Sequence, residues 1–307
     1  MTVLPRNLNM KKILSAAIMA AILFFGFEQV AQAKIKSITP KVVDLEFTSA
    51  SYLKNPKLVT ANGQHITIRR ITNSKVPSKK ILIQSGLHGN EKGAVALNQW
   101  LLPHFKKLMS SNSSEWKNTQ IDFVFVANPD GYLTNNRYNS NAVNLNRNFS
   151  VLFGKTREYP GKTSFSEAET KAVRTLALKE KYDVAVDVHG YINWIVLPTS
   201  PSIIAQKRKI SKTKMNQYKK LYKTVAKHIP QLKGYKQLTA GFLQDGGSFE
   251  DWMFWEGGAQ SFCLEIKKNH LKEDDKTRLK SYQGYASFLE NTIQDLLNKE
   301  STQLTSH

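Results

Sequence analysis

The sequence predicts an α/β fold: a single domain on a mixed, largely parallel central sheet, with helices on both faces. Three observations predict it. Short apolar, β-branched runs alternate with helical stretches along most of the chain. The helical stretches are long enough to serve as crossovers between parallel strands. Polar residues of catalytic type stand at the ends of the apolar runs, and sheets of this kind bind ligands beyond the carboxyl ends of their strands.

The elements follow in order. HITIRRIT (65–72) and KILIQS (80–85) read as strands by their β-branched content. Residues 91–108 carry an apolar stripe at Val95, Leu97, Leu101, Leu102 and Phe105, which predicts a helix. IDFVFVAN (121–128) reads as a buried strand. Ser166 and Glu169 have the spacing of a capping box and predict a helix start. DVAVDVH (183–189), NWIVLP (193–198) and SFCLEI (261–266) read as strands, and 212–228 and 279–298 as helices, the first strongly basic. No internal repeat and no long low-complexity linker interrupts this pattern.

The N-terminus reads differently. Lys11 and Lys12 precede the apolar run 13–27, and Ala31-Gln32-Ala33 follows as a small-x-small cleavage site, the pattern of a secretory signal peptide over 1–33. The run is short of the ~20 apolar residues that span a membrane, and no second run approaches that length. The expectation is an exported protein, periplasmic or secreted, with no transmembrane segment after cleavage. Its domain would cover 34–307, with a catalytic core of about 65–298. Hydrophobic content of 41% and charged content of 22% fit a folded chain. Cys263 is the single cysteine, so an intrachain disulfide is excluded. Net charge is +20, of which residues 1–33 hold two. Such a balance favours anionic surroundings: an acidic cell-wall polymer, an anionic lipid surface or nucleic acid. Nucleic acid is not expected, because no recognition motif is present.

Three ligands from His, Glu, Asp or Cys, with the fourth position open, make a catalytic zinc site. His88 and Glu91 form an HxxE pair just after a strand, and His189 ends another strand as a third, distant candidate. The HxxE spacing alone is weak, and a lone strand-end histidine is more often structural. Between them, NPDGYLTNNRYNSNAVNLNRNF (128–149) places Arg137, Asn146 and Arg147 near the same rim. Guanidinium forks match carboxylates and stabilise oxyanions. Glu265 lies inside an apolar string, where burial without a task is expensive. Beside zinc it would be a general base; at a sheet edge it would face solvent.

HGNE (88–91), NPDGY (128–132), Arg137, NLNRNF (144–149), SEAET (166–170), VHGY (188–191), GGSFEDW (246–252) and SFCLEI (261–266) occur in this order over roughly residues 80–267. Together they resemble the zinc metallocarboxypeptidases of the carboxypeptidase A superfamily. The resemblance extends to exported bacterial members such as murein peptide amidases and cell-shape carboxypeptidases. It implies a carboxypeptidase-like fold and one zinc ion on His88, Glu91 and His189. It implies Glu265 as the base that takes a proton from the attacking water and passes it to the leaving amine. It implies Arg137 on the oxyanion and Asn146 with Arg147 on the terminal carboxylate of the substrate.

Two positions depart from the family pattern. The family's mobile tyrosine is absent from TAGFLQDGGS (239–248), which has Phe242 and Leu243 instead; Tyr132 or Tyr191 could replace it. Glu250 stands at the family's pocket-base position, in a segment that looks one residue longer. If it lines the pocket, the terminal residue carries an amine: lysine, arginine or diaminopimelate. The other reading is an exposed loop glutamate. The first expectation is a peptide or muropeptide substrate, namely a peptidoglycan stem peptide. The alternatives are removal of Lys or Arg from ordinary peptides, deacylation, and a noncatalytic wall-binding protein on the same fold.

Overall fold

Apolar runs become strands in the order β1 (Val43–Thr48), β2 (Thr67–Thr72), β3 (Lys79–Ser85), β4 (Thr119–Val124), β5 (Val184–Gly190), β6 (Trp194–Leu197), β7 (Lys236–Thr239) and β8 (Gln260–Ile266). Between them run helices α1 (Ser49–Leu53), α2 (Lys92–Ser110), α3 (Pro129–Leu133), α4 (Ala168–Glu180), α5 (Pro201–Ala205), α6 (Lys212–His228), α7 (Phe249–Trp255) and α8 (Asp275–Leu297). This computed structural model describes residues 41–54, 58–111, 113–239, 245–267 and 272–298. The leader read over 1–33, and the pair Phe242 and Leu243, lie outside the described residues.

The eight strands form one sheet in the order β1-β2-β4-β3-β5-β8-β6-β7. Its centre, β4-β3-β5-β8, is parallel. The antiparallel pairs are β1 with β2, β2 with β4, and β6 with β8. Every residue of β4, and Val184 to His189 of β5, is buried. A strand buried along its whole length must be covered on both faces, as crossover helices do. The predicted mixed sheet with helices on both faces is therefore what the chain forms. One added element is the edge strand β1, in the stretch 34–64 that the sequence left unread.

The start of α4 corrects the sequence reading. Ser166 and Glu169 form no capping box: the helix begins at Ala168 with Glu167 as N-cap. The Ser166 hydroxyl instead donates to Glu167 Oε1 at 2.6 Å and accepts from Asn148 at 3.0 Å. Glu169 turns inward toward the Asn139 amide, at 3.4 Å. Buried polar groups in the 139–148 loop compete for the side chains that a solvent-exposed helix start would have used for capping.

That inward glutamate has a consequence for stability. Burial, with the charges of Glu167 and Asp130 adding to it, pushes the Glu169 carboxyl up to about 7 from a reference of 4.5. The folded state then holds a proton that the unfolded chain releases between those two values. Stability should fall as pH rises from about 4.5 to about 7 and stay lower above it, by about 3 kcal/mol at most. Glu169→Gln removes the ionisation. Urea unfolding should find the variant more stable than the parent at pH 8, with the difference shrinking toward zero at pH 4. An equal difference at both values would sink the assignment.

Candidate active site

The topology brings the metal candidates together. His88 follows β3, Glu91 caps α2, and His189 is the sixth residue of β5. Glu265 of β8 is the direct register partner of His189. Alternation along the two strands then places Asp187, His189, Cys263 and Glu265 on one face of the sheet. The approach to His88 needs a glycine. A Cβ on Gly89 would lie 2.0 Å from the carbonyl carbon of Gly131, so only glycine lets α3 pack on this loop.

Glu91 occupies the N-cap position of α2 yet makes no side-chain cap. Its carboxylate is spent on the site. Oε1 lies 2.8 Å from His88 Nδ1, and Oε2 lies 2.9 Å from His189 Nδ1. The Gly190 N–H donates to Oε2 at 3.1 Å. The two Nδ1 atoms are 3.1 Å apart. Burial would raise the Glu91 pKa, but His189 and His88 outweigh it and hold the carboxyl well below the usual range.

The outer nitrogens are also fixed. His88 Nε2 faces Asn144 Oδ1 at 3.1 Å, and that oxygen also accepts the Asn146 N–H at 2.9 Å. Asn144 therefore presents its oxygen to His88, and Nε2 must carry the hydrogen. Burial pushes the His88 pKa down, so its Nδ1 offers a lone pair. His189 Nε2 faces Asp187 Oδ2 at 2.8 Å. Burial disfavours charge on His189, yet Asp187 and Glu91 outweigh it and hold its pKa well above the usual value. The surroundings thus stabilise positive charge at His189 Nδ1, among His88 Nδ1 and the Glu91 oxygens. One ligand atom from each of the three residues lies within 4.8 Å of the others. Two imidazoles and one carboxylate, each imidazole anchored by a polar partner behind it, fit zinc with an open fourth position.

Around this centre stand the other predicted residues. Arg137 Nη1 lies 3.1 Å from His88 Nδ1, and its Nε donates to Glu158 Oε1 at 3.1 Å. Glu265 lies on an inner strand, not at the sheet edge; its Oε2 is buried without a partner among the described residues, while the residue stays partly accessible. Burial pushes its carboxyl up to about 7; the charges of Glu91, Asp187 and Glu250 add to this, and His189 opposes it.

Arg147 donates to Asp245 Oδ1 at 2.9 Å and to the Asn146 carbonyl at 2.7 Å. Asn146 Oδ1 accepts the Phe249 N–H at 2.8 Å, which leaves the amide NH2 as the free end. The paired glycines before α7 permit this closeness: a Cβ on Gly247, at φ +85°, would lie 2.1 Å from the Arg147 carbonyl oxygen. Glu250 is a buried helical residue, not an exposed loop glutamate, and its Oε2 has no partner among the described residues. Burial and the Asp187 charge push its pKa up; burial and Glu250 push neighbouring Asp251 up to about 8. The half-buried Tyr191 accepts the Gly93 N–H at 3.0 Å through its hydroxyl, beside the start of α2. Tyr132 is engaged by Lys92, whose Nζ sits 3.3 Å above its ring centre.

Four residues of this site escaped the sequence reading: Asn144, Glu158, Asp187 and Asp245. Asp187 left a signal, a charge two residues before His189 inside an apolar strand. Glu158 left none.

A model of the zinc carboxypeptidase family matches residues 57–298. Among solved structures, carboxypeptidase A from Helicoverpa armigera aligns with a TM-score of 0.61 and 16% identity, over 82% of this chain and 69% of that one. Bovine thrombin-activatable fibrinolysis inhibitor, in complex with tick carboxypeptidase inhibitor, aligns at 0.62 and 16%, over 89% and 95%. A metallo-carboxypeptidase from Burkholderia cenocepacia aligns at 0.56 and 17%, over 84% and 65%. At these identities the three structures speak for the fold.

Proposed function

The chain belongs to the zinc carboxypeptidase family and is a metallocarboxypeptidase, and from that premise we propose that it removes the terminal residue of a peptidoglycan stem peptide containing diaminopimelate. The observation that carries the substrate is Glu250. A buried carboxylate with an oxygen unpartnered among the described residues, one residue beyond the Phe249 N–H that orients Asn146, calls for a cation. The amine of a diaminopimelate side chain would supply it.

The roles follow from position. His88, Glu91 and His189 would hold zinc, which supplies Lewis acidity toward the scissile carbonyl and the attacking water. Glu265, raised toward neutrality, takes a proton from that water and delivers it to the leaving amine. Arg137 directs Nη1 to the developing oxyanion. Arg147 and the free Asn146 amide take the substrate carboxylate, which confines cleavage to a chain end. Tyr191, whose hydroxyl accepts the Gly93 N–H, would offer its O–H to the substrate.

Export and wall attachment are part of the same proposal. Lys11, Lys12, the apolar run and Ala31-Gln32-Ala33 support a cleaved leader. Among the described residues no helix is long and apolar enough to cross a membrane. The α6 sequence has no acidic residue, and Lys212, Lys219 and Lys223 are exposed on it. That surface suits an acidic wall polymer.

Muropeptides incubated with the zinc-loaded mature protein and read by mass spectrometry test the proposal. Loss of a diaminopimelate or terminal residue from the stem is expected. Glu250→Gln should cut kcat/KM on that stem roughly 10- to 100-fold, by removing one charge-assisted contact, and raised salt should release the protein from sacculi. Turnover of Lys- or Arg-ended peptides with intact stems would select the peptide-trimming reading. No turnover of either, with zinc bound, would select a noncatalytic wall-binding protein.

A further inference from the structure

With zinc on its ligands, the Arg137 guanidinium would stand where a second cation resists being placed. Its Nη1 lies 3.1 Å from His88 Nδ1 and 3.5 Å from Glu91 Oε1, among the atoms that would ligate zinc. A guanidinium beside a dication is repelled, and in a partly buried site little solvent screens that repulsion. Some fixed negative charge must hold it there.

Glu158 has the geometry to do so. Its carboxylate grips the far edge of the guanidinium: Nε donates to Oε1 at 3.1 Å and Nη2 to Oε2 at 3.4 Å. This side-on fork uses one edge of Arg137 and leaves Nη1 directed at the metal locus. Glu158 Oε2 also accepts from the Asn144 amide, whose oxygen faces His88 Nε2 at 3.1 Å. Arg137, Glu158, Asn144 and His88 thus close a ring of contacts on one side of the site. The backbone around Glu158 is anchored in turn. The Tyr159 carbonyl accepts the Asn144 N–H at 3.0 Å, and Thr156 bridges to Asp245, the residue that holds Arg147.

We infer that Glu158 is a positioning residue, the fixed counter-charge that keeps Arg137 aimed at the reacting carbonyl against repulsion by the metal. Asn144 is pinned independently by the Asn146 N–H, so loss of Glu158 acts first on Arg137. The inference rests on the proposed oxyanion role of Arg137, and its test separates the two.

Glu158→Gln keeps the shape and removes the charge. In the crystal structure of the zinc-loaded variant, the Arg137 guanidinium should swing away from His88, while Glu158→Asp should retain it. With benzoyl-glycyl-lysine and a diaminopimelate-containing stem tetrapeptide as probes, kcat of Glu158→Gln should fall roughly 100-fold with KM within about twofold. The variant combined with Arg137→Ala should be no slower than Arg137→Ala alone. An undisplaced Arg137 in the zinc-loaded variant overturns the inference, with or without turnover of either probe. Additive losses in the double variant overturn it too. If Arg137→Ala alone leaves kcat unchanged, the oxyanion role fails, while Arg137 displacement in the variant still upholds the counter-charge.

Discussion

Glu265→Gln should lower kcat by about 10²- to 10⁴-fold while zinc content, KM and melting temperature stay close to those of the parent. Glu265 sits between two paired neighbours, opposite His189 on β5 and opposite Trp194 on β6. Its backbone is therefore fixed, and glutamine can take the same rotamer. What changes is the proton. Burial raises the glutamate to about 7, near the value at which a group both accepts and returns a proton at neutral pH. An amide does neither. The variant also removes a charge that burial disfavours, so stability should not fall. Metal analysis, thermal unfolding and steady-state kinetics on one preparation check all three expectations. A kcat within tenfold of the parent would dismiss Glu265 as the base.

The sheet was legible because its strands are apolar runs with little ambiguity. IDFV (121–124) is buried throughout, and the match of 80–85 to Lys79–Ser85 and of 212–228 to α6 follows from patterns that burial enforces. Boundaries moved where local and tertiary demands conflict. Ser166 and Glu169 satisfy the spacing of a capping box, but Asn148 and Asn139 claim both side chains. The metal ligands were legible through the motifs around them: the HxxE pair and a strand-end histidine are weak signals alone, and the ordered run from HGNE to SFCLEI gave them weight. Their supporting partners were less so. Asn144 and Glu158 come from loops whose course depends on glycine contacts and backbone hydrogen bonds that no periodicity encodes. Glu250 shows the limit from the other side. Its residue type raised the question of a cationic substrate, but only its place in α7, buried with Oε2 unpartnered among the described residues, shows that it is not a surface glutamate.

Removing one ligand should be as damaging as removing the base, by a different route. His189→Ala takes away one of three ligand atoms and leaves the Asp187 and Glu91 carboxylates facing each other across the space of the lost ring, with no imidazole between them. Zinc affinity should drop by more than the 10- to 100-fold expected for an outer partner alone, and turnover should vanish at micromolar zinc. Asp187→Asn offers the graded comparison. It keeps the ring and one hydrogen bond but removes the charge behind Nε2, so its affinity loss should stay within that 10- to 100-fold range. The readout need not be activity. Because the three ligand atoms are already gathered in the fold, zinc binds the native state and stabilises it. At free zinc 100 times Kd the gain is about 2.7 kcal/mol, or roughly 5–10 °C in Tm for a domain of this size. Chelation should reverse that shift in the parent. Thermal unfolding with and without zinc should show the full shift for the parent, a shift at higher zinc for Asp187→Asn, and none for His189→Ala. A His189→Ala protein that keeps the full zinc-dependent shift would remove His189 from the ligand set and leave the proposed chemistry without its centre.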